Sequence, residues 1–367
     1  MVDAELVQRA KVLVDKLCET PRFAGTTGEE RARAVCTAEL SSSGFDCREL
    51  PFDYSEWPAK WGPPLSTVVS AATIIAVART ANEGHPLMAL TIGGALAAML
   101  FLVDGYARRR WIMSFPSQRA RSVNLEARRG TPRVWLVAHL DSKSQTVPML
   151  IRIAGTIAVA TVGALTIVAV LLSLAGADGG KWVWDALQAA AVLAAIPGVS
   201  CFVRNGSPGA VDNATGVVAA ILAAQSASAP RDLGVLITSA EELGLAGARA
   251  WCVTAHLEDV VVNCDTVDDV GEWRAMYTTA RPKRLGDGAL RIGAGLGLRL
   301  RIGRLIPGIL TDSIPFSDRG MEAVTISRGT VATLARIHTR RDFSNALTGK
   351  GAAEASVLLS ALAKELA

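Results

Sequence analysis

Four long apolar segments interrupt this chain of 367 residues and constrain its fold more than any other feature. They come in two pairs, 64–79 with 86–104 and 148–175 with 182–203, and a short polar loop joins the members of each pair. A bilayer core needs about 20 apolar helical residues, with a range of about 17–25. We therefore expect the lipid bilayer to be a partner of this chain through about four spans.

The apolar segments leave an alternative open, chiefly for segment 64–79. Segment 182–203 contains Pro197, and segment 64–79 is short and ends at Arg79. The alternative is that the apolar segments are buried helices in the core of a large soluble protein, and segment 153–175 favours it least. Composition favours spans, because 50% of the residues are hydrophobic and only 20% are charged. The mean hydropathy is +0.31, and soluble proteins of this length seldom have a positive mean.

The sequence outside the apolar pairs alternates strand patterns with helix patterns. Strands are predicted at 45–52, 122–129, 133–141, 233–242, 260–265 and 323–329, and helices at 3–17, 27–40, 213–228, 245–256 and 350–366. Thr27 with Glu30 has the spacing of a capping box at the start of the second helix. Such alternation implies a mostly parallel sheet covered on both faces. The predicted fold class is α/β, a mostly parallel mixed sheet flanked by helices, with two inserted transmembrane helical hairpins.

Polar side chains recur where the predicted strands end, which is where open α/β sheets form their sites. These side chains are His139, Asp141, Asp212, Asn213, Glu241, Glu242, Asp265 and, later in the chain, His338. Taken singly, Asp212 is explained as a helix N-cap, the glutamates as charge at a helix start and His338 as a surface residue. Together, two imidazoles and several carboxylates suit zinc or a similar divalent ion. The absence of a thiolate favours a catalytic site over a structural one.

Five ordered motifs resemble the co-catalytic di-zinc aminopeptidases, the family-28 metallopeptidases. The motifs are "AHLDS", "AVDNATGV", "SAEELGLAGARAW", "NCD" and "IHTRRD". The segments "PRFAGTTGEERARA" and "TDSIPFSDRGMEAVTI" are also similar to stretches of that family. The resemblance covers nearly all of the chain outside the apolar pairs.

The resemblance implies two zinc ions, or two other divalent metal ions, in each chain. Five side chains would be the ligands: His139 and Asp265 for one ion, Glu242 and His338 for the other, and Asp212 as a bridge. By the same resemblance, Asp141 would orient His139 through its second ring nitrogen, and Glu241 would be the general base.

The sequence also departs from the family pattern. Ser313 stands where the family frequently has histidine, and Arg340 stands where a proline is common. A tyrosine often stabilises the oxyanion in this family, but we assign that role to none of Tyr54, Tyr106 and Tyr277. No departure removes a predicted ligand, so the resemblance implies an active enzyme.

The order of the ligands sets the domain organisation. They lie on both sides of the second apolar pair, and one site requires all of them on one side of the membrane, so each insertion must cross an even number of times. We predict one catalytic domain from 1–62, 105–147 and 204–367, with transmembrane hairpins at 63–104 and 148–203. The predicted function is a membrane-bound aminopeptidase that removes N-terminal residues from peptide substrates. The alternatives are an inactive scaffold or receptor-like relative and a single-zinc acyltransferase of the glutaminyl-cyclase type.

Charge predicts the orientation of this multi-pass membrane protein. The arginines Arg108, Arg109, Arg110, Arg119, Arg121, Arg128 and Arg129 follow the second apolar segment. Such a cluster is commonly a solvated, flexible face, but beside an apolar segment it marks the cytoplasmic side. The six cysteines without C-x-x-C spacing and the lack of an apolar signal segment in 1–62 agree with a cytoplasmic catalytic domain. The net charge of +4 is too small and too uneven to indicate nucleic-acid binding.

Overall fold

The computed structural model describes residues 2–106, 112–177, 179–306 and 308–367. The helices are α1 (Ala4–Leu17), α2 (Thr27–Ser41), α3 (Trp57–Asn82), α4 (Pro86–Tyr106), α5 (Ile112–Ser114), α6 (Met149–Leu174), α7 (Lys181–Val199), α8 (Thr215–Gln225), α9 (Ala246–Cys252), α10 (Lys283–Gly295), α11 (Ser313–Asp318), α12 (Val331–Arg336) and α13 (Lys350–Leu366). The strands are β1 (Asp46–Ser55), β2 (Arg119–Arg129), β3 (Val134–His139), β4 (Ser144–Gln145), β5 (Val203–Arg204), β6 (Leu233–Thr238), β7 (Val260–Val267), β8 (Glu272–Tyr277), β9 (Leu300–Arg304) and β10 (Glu322–Gly329).

The chain divides into two compact units. The first contains Met1–Tyr54, Arg119–Ser144 and Arg204–Ala367, and the second contains Ser55–Gln118 and Gln145–Val203. The first unit is an α/β structure, and the described residues of the second are mainly helical.

A mixed sheet organises the first unit. Eight of the described strands form it in the order β1-β2-β6-β3-β7-β10-β8-β9. Its centre is parallel: β3 pairs with β6 and β7, and β7 pairs with β10. The outer pairs β2–β6 and β10–β8 are antiparallel. The mostly parallel mixed sheet flanked by helices that the sequence predicts is therefore confirmed, while β8 and β9 extend it beyond the predicted strands.

Register places the ends of the central strands together. In the parallel β3–β6 pair, His139 lies opposite Thr238, and in the β3–β7 pair Val134 lies opposite Val260. The carboxyl ends of β3, β6 and β7 therefore share one edge of the sheet. Below this edge the core is apolar and aromatic, with the Trp251 ring contacting Trp135 at 4.8 Å between centroids.

The start of α2 differs from the predicted capping box. The N-cap residue is Thr26, one position before Thr27, and its hydroxyl donates to the carbonyl of Phe23 at 2.6 Å. The glutamate whose side chain reaches back to the chain before the helix is Glu29, which accepts the main-chain N–H of Gly25 at 2.7 Å. The predicted Thr27–Glu30 pair is wrong because the chain enters the helix one residue earlier than the motif suggests.

The second unit presents four helices that are long and apolar enough to cross a membrane: α3, α4, α6 and α7. Their most apolar windows have mean hydropathies of 1.4, 2.1, 2.5 and 1.4, yet only 6% to 28% of each window is buried. Large apolar side chains such as Phe101 and Leu193 face outward. Within this chain, these four helices are therefore largely exposed rather than buried in a core.

The predicted arginine cluster lies partly in the sheet. Arg119, Arg121, Arg128 and Arg129 belong to β2, so they are not the flexible face that was the alternative. Arg128 is paired with Glu126 at 2.7 Å. Arg108, Arg109 and Arg110 lie outside the described residues.

Candidate metal centre

The polar residues that follow the central strands meet at one edge of the sheet. His139 is the last residue of β3, and Glu241 and Glu242 lie in the turn between β6 and α9. Asp265 lies near the end of β7, and His338 follows α12. All of them are buried, with exposed fractions between 1% and 8%. The glutamates are therefore not solvated charge at a helix start, and His338 is not a surface residue, because those side chains do not face solvent.

Asp212 lies in an irregular turn at 210–214, directly before α8. Its backbone is not helical (φ −122°, ψ 85°), and the N-cap position of α8 is occupied by Ala214, so Asp212 is not a helix cap. One carboxylate oxygen of Asp212 lies 3.2 Å from Nε2 of His139. The other lies 3.0 Å from Nε2 of His338. The carboxylate thus faces two imidazoles with different oxygens.

The candidate metal ligands form two groups, and Asp212 belongs to the second while one of its oxygens faces the first. In the first group His139, Glu241 and Asp265 approach one another, with His139 Nε2 3.6 Å from Asp265 and 4.0 Å from Glu241. The second consists of Asp212, Glu242 and His338, with Glu242 3.2 Å from His338 Nε2. The structure therefore brings all five predicted ligands together, along with Glu241.

These residues fit divalent metal ions. Imidazole nitrogens and carboxylate oxygens without thiolate are the donor set of catalytic zinc sites. The Oε1 atom of Glu242 is buried and has no hydrogen-bond partner among the described residues, although it faces His338. A buried carboxylate oxygen left in this state is costly unless a further partner binds it. A cation between these side chains would be such a partner.

Asp141 contacts His139 in a way that differs from the prediction. The Nδ1 atom of His139 lies 3.0 Å from the carbonyl oxygen of Asp141, whereas the nearest carboxylate oxygen of Asp141 is at 3.7 Å. The main chain, rather than the carboxylate, orients the imidazole. The carboxylate instead accepts the main-chain N–H groups of Glu241 and Glu242, both at 3.1 Å. The side chain of Asp141 therefore holds the glutamate turn.

The side chain of Asn213 links two of the ligand segments. Its amide group donates to the carbonyl of Cys264 at 2.8 Å, and its oxygen accepts the N–H of Thr266 at 3.2 Å. Because Cys264 and Thr266 flank Asp265, this one side chain connects the Asp212 turn to the end of β7.

Sequence reasoning missed three buried or half-buried residues of the site. Lys143 lies 2.6 Å from the second oxygen of Glu242. Asp312 is buried and accepts the hydroxyl of Thr238, and burial raises the pKa of Asp312 to about 7. Arg22 donates to the carbonyls of Leu140 and Gly209, at 2.8 and 2.9 Å. Arg22 and Asp312 belong to segments that resemble the family, and Lys143 directly follows "AHLDS", but nothing in the spacing of these residues indicates the contacts.

The electrostatics of the site are dominated by negative charge. Burial raises the pKa of Glu241 well above its usual value, and the neighbouring Glu242 and Asp265 raise it further. Burial alone would also raise the pKa of Asp212, but the two histidines lower it below its usual range. Burial opposes protonation of His139, yet the surrounding carboxylates raise its pKa well above the ordinary value. An excess of negative charge that draws protons onto imidazoles is also suited to a divalent cation.

Comparisons with known proteins point to one family. The family model "Peptidase family M28" matches residues 123–363. No curated protein matches the chain.

Solved structures share the fold at low sequence identity. An aminopeptidase from Aneurinibacillus sp. strain AM-1 has a TM-score of 0.57 at 13% identity, covering 98% of this chain and 93% of its own. The zinc aminopeptidase BSAP from Bacillus subtilis has a TM-score of 0.56 at 15% identity, covering 97% and 94%. A glutaminyl cyclase from Fimbriiglobus ruber has a TM-score of 0.55 at 14% identity, covering 99% and 95%. At such identities these structures establish the fold alone. The family match spans well over half of the chain, and we conclude that the chain belongs to peptidase family M28.

Proposed function

We propose that this protein is a membrane-bound exopeptidase with two zinc ions that removes N-terminal residues from peptides. The observation that carries the proposal is the position of Asp212, whose two carboxylate oxygens lie 3.2 and 3.0 Å from the imidazoles of two separate ligand groups. A carboxylate placed in this way would be a ligand shared by two metal ions.

Each proposed ion has two further ligands. His139 and Asp265 would hold one ion, and Glu242 and His338 the other. Lys143 contacts the remaining oxygen of Glu242 and leaves its first oxygen to face His338. Bound zinc would lower the pKa of a water molecule and polarise the peptide carbonyl.

Glu241 is the proposed general base. Burial raises the pKa of Glu241, and a carboxylate with a raised pKa is a better proton acceptor than one with a very low pKa. In hydrolysis, Glu241 would take a proton from the attacking water and deliver it to the leaving amine as the peptide C–N bond breaks. The products are a free amino acid and a peptide shortened by one residue. Asp141 contributes by holding the main chain of Glu241.

A glutaminyl-cyclase-type activity is the second candidate, because a cyclase of that name shares the fold over 99% of this chain. In such a reaction the N-terminal amine attacks the glutamine side-chain amide and ammonia leaves, so no water is consumed. The second ligand group (Asp212, Glu242 and His338) would by itself hold the single metal ion that this reaction uses. The buried His139 and Asp265 favour the peptidase, because a single-metal enzyme leaves them without a metal to bind.

Metal analysis and a substrate panel test the proposal on the purified full-length protein. We expect two zinc-class ions per chain, together with amine release from aminoacyl-arylamides. Ammonia release from an N-terminal glutaminyl peptide without amide hydrolysis would instead support the cyclase. The scaffold alternative is a zinc-free relative, so it predicts folded protein that holds at most trace metal and is inactive in both assays. Folded protein that binds only trace metal and gains no activity with added zinc or cobalt would contradict both enzymatic candidates.

We also propose that α3, α4, α6 and α7 span the membrane, with the catalytic unit in the cytoplasm. Their length and hydropathy support the spans, and the outward-facing apolar side chains support lipid contact. The loops between the paired helices carry little positive charge, whereas the segment after α4 is rich in arginine, which favours the cytoplasm for that segment.

Cysteine labelling in intact cells tests this orientation. We expect Glu83→Cys and Ala177→Cys, one in each exposed hairpin loop, to react with a membrane-impermeant maleimide added from outside. Ala367→Cys, at the chain terminus, should react only after permeabilisation. The unsubstituted protein is the control, because its cysteines are buried or half-buried. The reverse labelling pattern would place the site outside the cytoplasm.

A further inference from the structure

Asp342 lies directly behind the turn that carries Asp212, and no motif assigned it a role. Its carboxylate is fully buried. One oxygen accepts the main-chain N–H of Val211 at 2.9 Å, and the other accepts that of Asp212 at 3.1 Å. The carbonyl of Asp342 accepts a third N–H, from Ala210, at 3.1 Å. Three successive N–H groups of the turn are therefore bound by one residue.

The turn needs such a partner because its backbone is irregular. Asp212 and Asn213 have non-helical dihedral angles, so the N–H groups of Val211 and Asp212 are not bound within a regular helix. Buried N–H groups left without an acceptor destabilise the folded protein, so the acceptor that binds them stabilises the turn. An ionised aspartate offers two acceptor oxygens, whereas the amide of an asparagine offers one.

The same arrangement occurs at the other ligand turn. Asp141 accepts two successive N–H groups, those of Glu241 and Glu242, with one carboxylate oxygen each. Asp141 follows His139 by two positions, and Asp342 follows His338 by four. Each histidine segment therefore carries an aspartate that binds the main chain of another ligand segment.

We propose that Asp342 is a positioning residue for the metal centre: by binding the main chain at Val211 and Asp212, it fixes the direction in which the bridging carboxylate of Asp212 projects. The inference rests on the proposed two-metal function. It predicts that the turn is already held in the metal-free protein, so that binding of metal does not have to order it. Arg336, whose Nε lies 3.9 Å from the Asp342 carboxylate, provides a nearby positive charge.

The test is Asp342→Asn in the full-length protein, with zinc affinity measured by competition against a chelator. We expect zinc affinity to fall by about 10–100-fold, the range typical for groups that support a metal ligand. The matched control is Asp269→Asn. Asp269 also accepts two main-chain N–H groups, from Thr348 and Gly351, but these lie at the start of α13 rather than at a ligand turn. The control should lose thermal stability without a comparable loss of zinc affinity.

The outcomes separate the two proposals. If the unsubstituted protein binds no zinc, the proposed function fails. If it binds zinc and the Asp342→Asn and Asp269→Asn variants bind equally well, the positioning role of Asp342 is wrong.

Amide hydrogen exchange of the unsubstituted protein gives a second measurement in case Asp342→Asn does not fold. The N–H groups of Val211 and Asp212 should exchange slowly with and without zinc. Exchange that is fast in the metal-free protein and slow only after zinc is added would overturn the proposal, because the metal would then be ordering the turn.

Discussion

Replacing Asp212 with asparagine is expected to remove both metal ions, whereas replacing a ligand of one ion should mainly affect that ion. The two oxygens of Asp212 face His139 and His338 separately, and an asparagine keeps only one oxygen. The remaining amide nitrogen cannot ligate zinc. We expect a loss of zinc affinity at both positions that exceeds the roughly 10–100-fold expected for a supporting residue.

The measurement is the zinc content per chain after dialysis against a fixed concentration of free zinc, with arylamide hydrolysis followed in parallel. Asp259→Asn is a suitable control because Asp259 is also a buried aspartate, but it precedes β7 at the opposite edge of the sheet. There it accepts the indole N–H of Trp135 at 3.1 Å, a bond that an asparagine oxygen can keep. An Asp212→Asn protein that retains two ions per chain would show that Asp212 does not bridge them.

Much of the catalytic unit could be predicted because its signals are local. Apolar runs such as 260–265 indicate buried strands, and polar residues that directly follow such runs must lie at the carboxyl edge of a parallel sheet. The register that sets His139 opposite Thr238 explains why residues about 100 positions apart in the chain meet. The positions of the ligands that follow β3 and β6 or end β7 therefore follow from where these strands stop, whereas Asp212 and His338 lie next to the helices α8 and α12.

The strands β8 and β9 could not be found in this way. β8 contains Glu272 and Arg274, and β9 contains Arg301 and Arg304. Strands near the edge of a sheet carry charged side chains on exposed positions, so their hydrophobic pattern is weak. Neither strand contributes a residue to the metal centre.

The residues that support the ligands could not be predicted from the sequence, because their hydrogen-bond partners are distant in the chain. Glu29 accepts the hydroxyl of Ser239, and Asp342 binds a turn 130 positions earlier. No periodicity in the sequence reports such contacts. For Asp141 the resemblance indicated a role toward His139, but only the geometry shows that its carboxylate binds the glutamate turn instead.

Glu241 and Glu242 are adjacent in the chain, and their substitution should separate the base from the ligand. Glu241→Gln preserves size and neutralises the one carboxylate of the two ligand groups that is not a proposed ligand. We expect both zinc ions to remain and kcat to fall by at least about 100-fold, the scale of general acid–base catalysis, with little change in KM. Glu242→Gln should lose the zinc ion beside His338, because Glu242 lies 3.2 Å from that imidazole.

The comparison also decides between two roles for Glu241, because Glu241 lies within 4.0 Å of His139 and could itself be a ligand of the first ion. Zinc content and kcat should be measured on both variants from the same preparation. Loss of the ion beside His139 in Glu241→Gln would make Glu241 a ligand and leave the protein without its proposed base. Unchanged zinc content and unchanged kcat in both variants would show that neither glutamate takes part in the chemistry. Retained zinc with a large loss of kcat in Glu241→Gln alone is the pattern that a general base requires, since only the proton transfer is removed.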